Sequence, residues 1–189
     1  MNFDQDIDAC ITALKAGKLI LYPTDTVWGI GCDALNSSAI QKIIHLKKRA
    51  DNKSFVILMS SIDQIAEFAS LPSTLLLNYQ KESSKPVTFI LPGAQHMPEQ
   101  LTGSDQTAAI RIPDHKFCQE ILKILGRPIV PTSANISGEP TPALFTDITP
   151  DIIKGVDYVA YHGRNINTPA ASSSIIRENK EGHLEIVRL

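Results

Sequence analysis

The spacing of apolar positions predicts four helices along the chain. Ile7, Cys10, Ile11 and Leu14 recur at helical spacing, and Gly17 follows where a glycine typically ends a helix. The other predicted helices run from Ser37 or Ser38 to about Arg49, from a capping-box pattern at Ser61 and Gln64, and through Phe117, Ile121, Leu122 and Leu125 to Gly126.

Short apolar runs between these helices predict strands. They cover residues 18–22, 55–59, 87–91, 108–112, 129–130, 156–161, 173–177 and 183–188, and the turn sequence ENKEG joins the last two. Strands that alternate with helices and then end in a hairpin predict an α/β (mixed α+β) fold. We expect a twisted mixed parallel/antiparallel sheet flanked by helices, in one domain over residues 1–189.

Composition narrows the class of protein. A chain of 189 residues that is 43% hydrophobic can bury a core without disulfides. Its three cysteines are far apart and odd in number, which favours reduced thiols in a cytoplasm. The acidic N-terminus does not resemble a signal peptide, and the apolar runs are too short to span a membrane. With a net charge of −2, any anion site must be local.

The first candidate site follows a predicted buried strand, in the sequence LYPTDTVWGIGCDA. Thr24 and Thr26 are two residues apart, so in an extended segment both hydroxyls face one way and Asp25 faces the other. Polar groups just beyond a strand end are typical of ligand sites in α/β sheets. A turn after Pro23, in which these side chains bind their own backbone, explains the residues equally well.

A basic cluster ends the second predicted helix, in the sequence LKKRADNKS. Lys47 lies where the face that carries Ile40, Ile43 and Ile44 should continue with another hydrophobe. The purely structural interpretation is a basic last turn that interacts favourably with the helix dipole, in which Lys47 extends its ammonium group to solvent. This interpretation suits Lys48. For Lys47 and Arg49 we favour a polyphosphate site, because a point charge and a guanidinium fork complement phosphates.

Two further clusters carry uncharged and charged anion-binding groups. In PTSANISG, Ser133 and Asn135 lie two apart beside Thr132, and their hydroxyl, amide and backbone groups suit phosphate or carboxylate oxygens. The alternative is a polar turn that caps a helix. Arg111 alternates with Ile110 and Ile112, so it faces either solvent or an anion, and the sequence favours neither.

Several familiar motifs are absent from the sequence. It has no phosphate-binding GxxxxGK[ST] loop, no GxGxxG, no GxSxG elbow and no HExxH. Its five histidines show no spacing typical of metal ligands, and we expect no protein metal site. The remaining groups neutralise charge and position hydroxyls without an evident nucleophile, which favours phosphoryl or nucleotidyl transfer.

Six stretches, in order, resemble the YrdC-like family of threonylcarbamoyl-AMP synthases. They are YPTDTVWGIGCDA, LKKRADNK, KPVTFILPG, AAIRIPDH, PIVPTSANISGEP and SSSII, and the resemblance runs from about residue 7 to the end of the chain. It is to the short, single-domain bacterial form. The resemblance implies a mixed sheet around a basic concave cavity and a cytoplasmic enzyme. The family commonly has proline where this chain has Ala50 and Ser54.

The resemblance also implies an activity. ATP, L-threonine and bicarbonate or CO2 would give L-threonylcarbamoyl-AMP and pyrophosphate, with Mg²⁺ accompanying ATP. A tRNA threonylcarbamoyl transferase complex would then receive the product. An alternative is an RNA-binding or ribosome-maturation factor that uses the same cavity without catalysis; the negative net charge and few aromatics speak against broad RNA binding.

By resemblance, roles transfer to individual residues of this chain. Lys47 and Arg49 would be catalytic, and the ATP site would comprise Lys47, Arg49, Arg111, Ser133, Asn135 and Arg188. The threonine and carbamate site would comprise Thr24, Thr26, Thr132 and Ser173. Lys53 and Thr88 are further candidates.

Overall fold

The computed structural model of the chain describes residues 1–49, 55–166, 168 and 172–189. Within those ranges it contains two short 3-10 helices, Glu99–Leu101 and Phe145–Asp147. Six α-helices also form there: α1 (Phe3–Lys15), α2 (Ser37–Lys47), α3 (Ile62–Phe68), α4 (Thr74–Glu82), α5 (Lys116–Leu125) and α6 (Pro150–Gly155).

The strands of the described residues form one nine-stranded mixed sheet in the order β7-β1-β2-β6-β3-β5-β4-β8-β9. Three neighbouring pairs are parallel (β1 with β7, β3 with β5, β4 with β8) and the other five are antiparallel. Their bounds are β1 (Ile20–Tyr22), β2 (Gly29–Asp33), β3 (Val56–Leu58), β4 (Val87–Pro92), β5 (Thr107–Arg111), β6 (Ile129–Ser133), β7 (Tyr158–Val159), β8 (Ser174–Glu178) and β9 (Leu184–Arg188). The predicted mixed sheet with helices is confirmed.

Side-chain caps explain why several helices begin where they do. Asn2 opens α1 with a complete capping box, because its side chain accepts the Gln5 N–H and its own N–H donates to the Gln5 side chain. The capping box predicted at Ser61 and Gln64 is only half formed. Ser61 accepts the Gln64 N–H at 3.2 Å, but the Gln64 side chain accepts from Ser60 instead.

The two faces of the sheet carry separate apolar cores. The larger core packs against helices that include α2, α3 and α4, and it contains Ile57, Ile110 and Val130. The smaller core places α1 and α5 against the opposite face of the sheet. Because side chains alternate along a strand, the residues next to Ile57, Ile110 and Val130 in the sequence point to that opposite face.

The sequence-based prediction missed β2, α4 and α6. Glycine is unusual in a strand interior, yet Gly31 lies in β2 because the Tyr22 ring of β1 covers it. A Cβ atom at Gly31 would lie 2.6 Å from that ring. In α4 only Leu76 is buried, and in α6 only Ile152, so neither helix shows a clear apolar periodicity.

Asp6 ties α1 to the segment that leads towards β8. Its buried carboxylate accepts the Tyr158 hydroxyl at 2.6 Å, the Tyr161 N–H at 3.1 Å and the His162 N–H at 2.6 Å. A buried carboxylate with three donors is satisfied without a partner cation. No described helix is long and apolar enough to cross a membrane.

Candidate active site

A cavity of about 250 Å³ lies on the sheet face that α1 and α5 cover only in part. The alternation of strand residues explains the location, because Val56, Arg111 and Ser133 point away from the larger core. Its walls come from the segment between β1 and β2, from Arg49 beyond α2, and from strands β2, β3, β5, β6, β8 and β9 together with residues that precede them. The lining residues are Thr24, Thr26, Val27, Gly29, Arg49, Phe55, Val56, Arg111, Pro131, Thr132, Ser133, Ser172, Ser173, Ile175 and Arg188.

The two threonines after β1 form one hydrogen-bonded unit. Their Oγ1 atoms are 2.9 Å apart, and Thr24 Oγ1 donates to the Val27 carbonyl at 2.8 Å while it accepts the Thr26 N–H at 3.0 Å. Arg111 donates through NH1 to Thr26 Oγ1 at 3.2 Å. The turn that the sequence offered as one alternative therefore forms, and it leaves both threonines beside the cavity, so the ligand site stays a prediction. Both threonines line the cavity while their backbone contacts form a turn.

Asp25 faces away from the cavity, as the two-residue alternation predicts. It lines a separate polar cavity together with Lys85 and Asp114. Its Oδ1 lies 3.4 Å from the NH2 atom of Arg111, and both side chains are about 5% exposed. Arg111 is therefore a buried residue that lines the cavity, which excludes the solvent-facing alternative and leaves the anion site a prediction.

Lys47 is buried, and its ammonium group is directed at the backbone that follows β6. The side chain is 2% exposed, and Nζ donates to the carbonyl oxygens of Ser133 and Asn135 at 2.5 Å each. The lysine therefore does not snorkel. In the described structure it lies behind the cavity wall and holds the last residue of β6 together with the turn that follows it.

Burial and the nearby charge of Arg49 lower the pKa of Lys47 from 10.5 to about 8. The two carbonyl acceptors oppose this effect, because they stabilise the charged ammonium. Burial also lowers the pKa of Arg49, whose guanidinium lies over the Phe55 ring at 4.4 Å from its centroid. Arg49 lines the cavity directly.

The PTSANISG segment divides between a strand and a turn. Thr132 and Ser133 end β6 and line the cavity, whereas Asn135 is buried behind them. The Asn135 amide donates to the Ile136 and Glu139 carbonyls at 3.1 and 2.7 Å, and so fixes the loop. No α-helix begins at this loop in the described chain, so the helix-cap alternative does not apply.

The opposite wall depends on contacts around Ser173. Its hydroxyl lies 2.9 Å from the Thr88 hydroxyl, and both side chains are buried. Arg188 donates to the Ser173 carbonyl at 3.0 Å, which brings the last strand to the cavity. Thr88 supports Ser173 from behind and is not itself a lining residue in the described structure.

The structure thus brings most of the predicted site residues together. Eight of the described candidates line the cavity: Thr24, Thr26, Arg49, Arg111, Thr132, Ser133, Ser173 and Arg188. Lys47, Asn135 and Thr88 lie one contact behind it, and Lys53 lies outside the described residues. Sequence reasoning missed Gly29, Phe55 and Ser172, although Ser172 directly precedes a predicted residue.

A mixed sheet with a hydroxyl- and guanidinium-lined cavity defines an α/β protein with a polar cavity. The chain belongs to the Sua5/YciO/YrdC family, whose model carries the description telomere recombination and matches residues 12–189. This confirms the resemblance seen in the sequence motifs.

Two curated relatives are both named threonylcarbamoyl-AMP synthase. The threonylcarbamoyl-AMP synthase of Hydrogenovibrio crunogenus is 38% identical over 138 residues, which cover 70% of this chain and 74% of the relative. The protein of the same name from Pseudoalteromonas translucida is 32% identical over 144 residues, with 75% and 77% covered.

Solved structures with the same fold include Sua5 of P. abyssi complexed with L-threonine. It superposes with a TM-score of 0.83 at 26% identity and covers 100% of this chain, which spans about half (54%) of the Sua5 chain. E. coli YciO superposes with a TM-score of 0.81 at 22% identity, and the superposition covers 99% of this chain and 89% of the YciO chain. At this identity the similarity shows a shared fold only.

Proposed function

We propose that this protein is a threonylcarbamoyl-AMP synthase, a nucleotidyltransferase that acts on ATP, L-threonine and bicarbonate or CO2. One observation carries the proposal: a single cavity joins a threonine hydroxyl pair at Arg111 to the guanidinium of Arg49 and the hydroxyls at the end of β6. The names of the curated relatives and the threonine complex of the Sua5 neighbour support it.

The reaction needs two successive nucleophilic attacks. The amine of threonine attacks CO2 and releases a proton, which gives a carbamate. A carbamate oxygen then attacks the α-phosphorus of ATP, the bond to the β-phosphate oxygen breaks, and pyrophosphate leaves. Substrate groups supply both nucleophiles, so the enzyme's task is to position them and to stabilise charge.

We assign these two tasks to different parts of the cavity. The Thr24 and Thr26 hydroxyls, with Thr132 and Ser173, hold the amino acid and carbamate. Arg49 stabilises the negative charge that develops on the phosphates, since preorganised cations in a partly buried site act strongly on such charge.

The remaining ATP contacts surround Arg49. Arg111, Ser133 and Arg188 complete the nucleotide site at the cavity surface. Lys47 and Asn135 serve it from behind, because the Lys47 ammonium donates to the Ser133 and Asn135 carbonyls and, at 3.5 Å, to the Asn135 side-chain oxygen. Lys53 stays a candidate outside the described residues.

Magnesium belongs to this proposal as a companion of ATP. The described cavity is lined by hydroxyl and guanidinium side chains, and its lining contains no Asp or Glu. Among the described residues no three His, Cys, Asp or Glu side chains cluster as metal ligands. Phosphate oxygens of ATP and water would hold the ion, which is how Mg²⁺ commonly binds in nucleotide enzymes, and it would offset phosphate charge there.

We further propose that the product passes to a tRNA threonylcarbamoyl transferase complex. An RNA-binding or ribosome-maturation role is the competing hypothesis. Catalysis would then be lacking, and the protein would bind bare RNA with an affinity that falls steeply with salt.

Pyrophosphate release from ATP by the purified protein tests the proposal. We expect release only when both L-threonine and bicarbonate are present. Release that ignores threonine would indicate a different nucleotidyl transfer, and RNA binding without release would favour the competing hypothesis.

Variants at the phosphate end sharpen the same assay. Lys47→Ala and Arg49→Ala should each lower turnover by about 10²-fold or more, as loss of a transition-state donor typically does. Lys48→Ala removes the same charge from an exposed neighbour and should retain turnover. Wild-type turnover in Lys47→Ala or Arg49→Ala contradicts the assignment of that residue.

A further inference from the structure

We propose that Asp25 is a positioning residue that orients Arg111 and, through Arg111, the Thr26 hydroxyl for the substrate amine. The inference rests on the proposed function, because it assigns the threonine pair to the amino-acid substrate. Asp25 itself does not line the substrate cavity in the described structure. It acts from the opposite side of Arg111.

The contact between the two charged groups is a buried ion pair, in which Asp25 Oδ1 has no hydrogen-bond partner among the described residues. Asp25 Oδ1 lies 3.4 Å from Arg111 NH2, which is the distance of an ion pair and longer than a good hydrogen bond. The other terminal nitrogen, NH1, donates to Thr26 Oγ1 at 3.2 Å. Because the guanidinium is planar and rigid, the attraction between Asp25 and NH2 favours the orientation in which NH1 points at Thr26.

Asp25 also balances the charge of Arg111. Tyr22 and Cys118 interact electrostatically with both groups, but burial raises the pKa of each, so they stay neutral near pH 7. Burial also lowers the pKa of the nearby His115, which favours its neutral form. Without the Asp25 charge, the Arg111 guanidinium is free to turn towards an anionic phosphate in the cavity.

The hydrogen-bond directions show what Arg111 achieves at the threonine pair. The Thr24 hydroxyl donates its one proton to the Val27 carbonyl. In the 2.9 Å contact between the two hydroxyls, Thr26 is therefore the donor and Thr24 the acceptor. Thr26 Oγ1 also accepts from Arg111, which leaves it one lone pair. That lone pair can accept an N–H of the substrate amine while the amine nitrogen keeps its own lone pair for CO2.

The test compares Asp25→Asn with the wild-type protein. We expect the substitution to weaken L-threonine binding, measured by calorimetry and as the threonine KM, by about tenfold or more, as loss of a charge-assisted contact typically does. The KM for ATP should stay within about twofold or fall, since Arg111 gains freedom to meet phosphate. Asp114→Asn is the matched control, because Asp114 is exposed and lines the same separate polar cavity as Asp25.

A second background separates positioning from a general structural effect. In Arg111→Met protein, adding Asp25→Asn should change threonine affinity by less than about twofold, since the residue acts through Arg111. Unchanged threonine affinity in Asp25→Asn, or a tenfold loss in both backgrounds, overturns the proposal. If Asp25→Asn does not fold, Asp25→Glu shifts the charge by one methylene and must show the same threonine-specific loss.

Failure of the proposed function would look different. A wild-type protein that binds no threonine refutes that function and this inference with it. Thermal unfolding of the wild type, Asp25→Asn, Arg111→Met and the double variant, without ligand, would still give the coupling free energy between Asp25 and Arg111.

Discussion

Replacing Lys47 by methionine should make the stability of the protein less dependent on pH. Methionine has a similar length and no charge, so it removes the buried ammonium group and little volume. Lys47 Nζ donates to the Ser133 and Asn135 carbonyls. Ser133 O also accepts the Asn135 N–H at 2.9 Å and keeps that partner in the variant, so the Asn135 carbonyl is left unsatisfied and the Asn135 side-chain oxygen loses a weak 3.5 Å contact.

Two opposing free energies follow from this geometry. Leaving one buried carbonyl unpaired and weakening another costs about 2–4 kcal/mol. Lowering the pKa of Lys47 from 10.5 to about 8 means that burial of its charge costs about 3 kcal/mol, and this cost disappears in the variant. The two nearly cancel at pH 7, so we expect Lys47→Met to fold with a free energy of unfolding close to that of the wild type.

The difference between the proteins should grow as pH rises. Because the pKa of Lys47 is lower in the folded state, the unfolded chain binds more protons between pH 8 and 10.5, and raising the pH stabilises the wild-type fold. Integrated from pH 7 to 9.5, this amounts to about 2 kcal/mol. The pH dependence of every other group is common to both proteins and cancels in the difference.

Denaturant unfolding at several pH values between 7 and 9.5 measures this difference. Lys48→Met is the control, because it removes a neighbouring exposed lysine and should follow the wild type. A constant difference between wild type and Lys47→Met over this range would refute the reasoning and would mean that the carbonyl acceptors cancel the effect of burial.

Three further predictions concern activity and packing. Threonine-dependent pyrophosphate release should fall as pH rises through about 8, where Lys47 loses its proton, although the fold becomes more stable there; a rate that is flat to pH 9.5 would contradict this. Gly31→Ala should destabilise the protein by about 1–3 kcal/mol in denaturant unfolding, since its Cβ would lie 2.6 Å from the Tyr22 ring, whereas Gly29→Ala, with 3.4 Å to its nearest neighbour, should cost less. Asp6→Asn should cost about 2–3 kcal/mol because an amide replaces one of the acceptor oxygens that three donors share, and Asp8→Asn on the exposed side of α1 should cost little; equal losses would contradict the proposed anchor.

Sequence periodicity was a good guide where burial follows one face of an element. α1, α2 and α5 lie where the apolar spacing predicts them, and Gly126 ends α5 in the left-handed conformation. Sequence periodicity failed to predict β2, which has glycines where strands usually have β-branched residues. That strand is explained by the Tyr22 ring packed over Gly31, a contact between strands that no single segment reveals.

The candidate site shows the same division between local and tertiary information. Spacing alone predicts that Thr24 and Thr26 face one way and Asp25 the other, because strand-like backbone alternates its side chains. Spacing could not show that Arg111, 85 positions beyond Thr26 in the chain, reaches the Thr26 hydroxyl while it pairs with Asp25. Nor could it show that Lys47 turns inward to two carbonyls and leaves Arg49 at the cavity surface.

The sequence by itself therefore determined the mixed α/β class, the family and most of the residues around the cavity. These depend on local periodicity, on turn chemistry and on motifs that read in order along the chain. Only the tertiary structure decided which polar side chains face the ligand and which hold those that do. That choice depends on burial and on hydrogen bonds between distant strands, because a buried donor or charge must find its partner wherever the sheet brings one close.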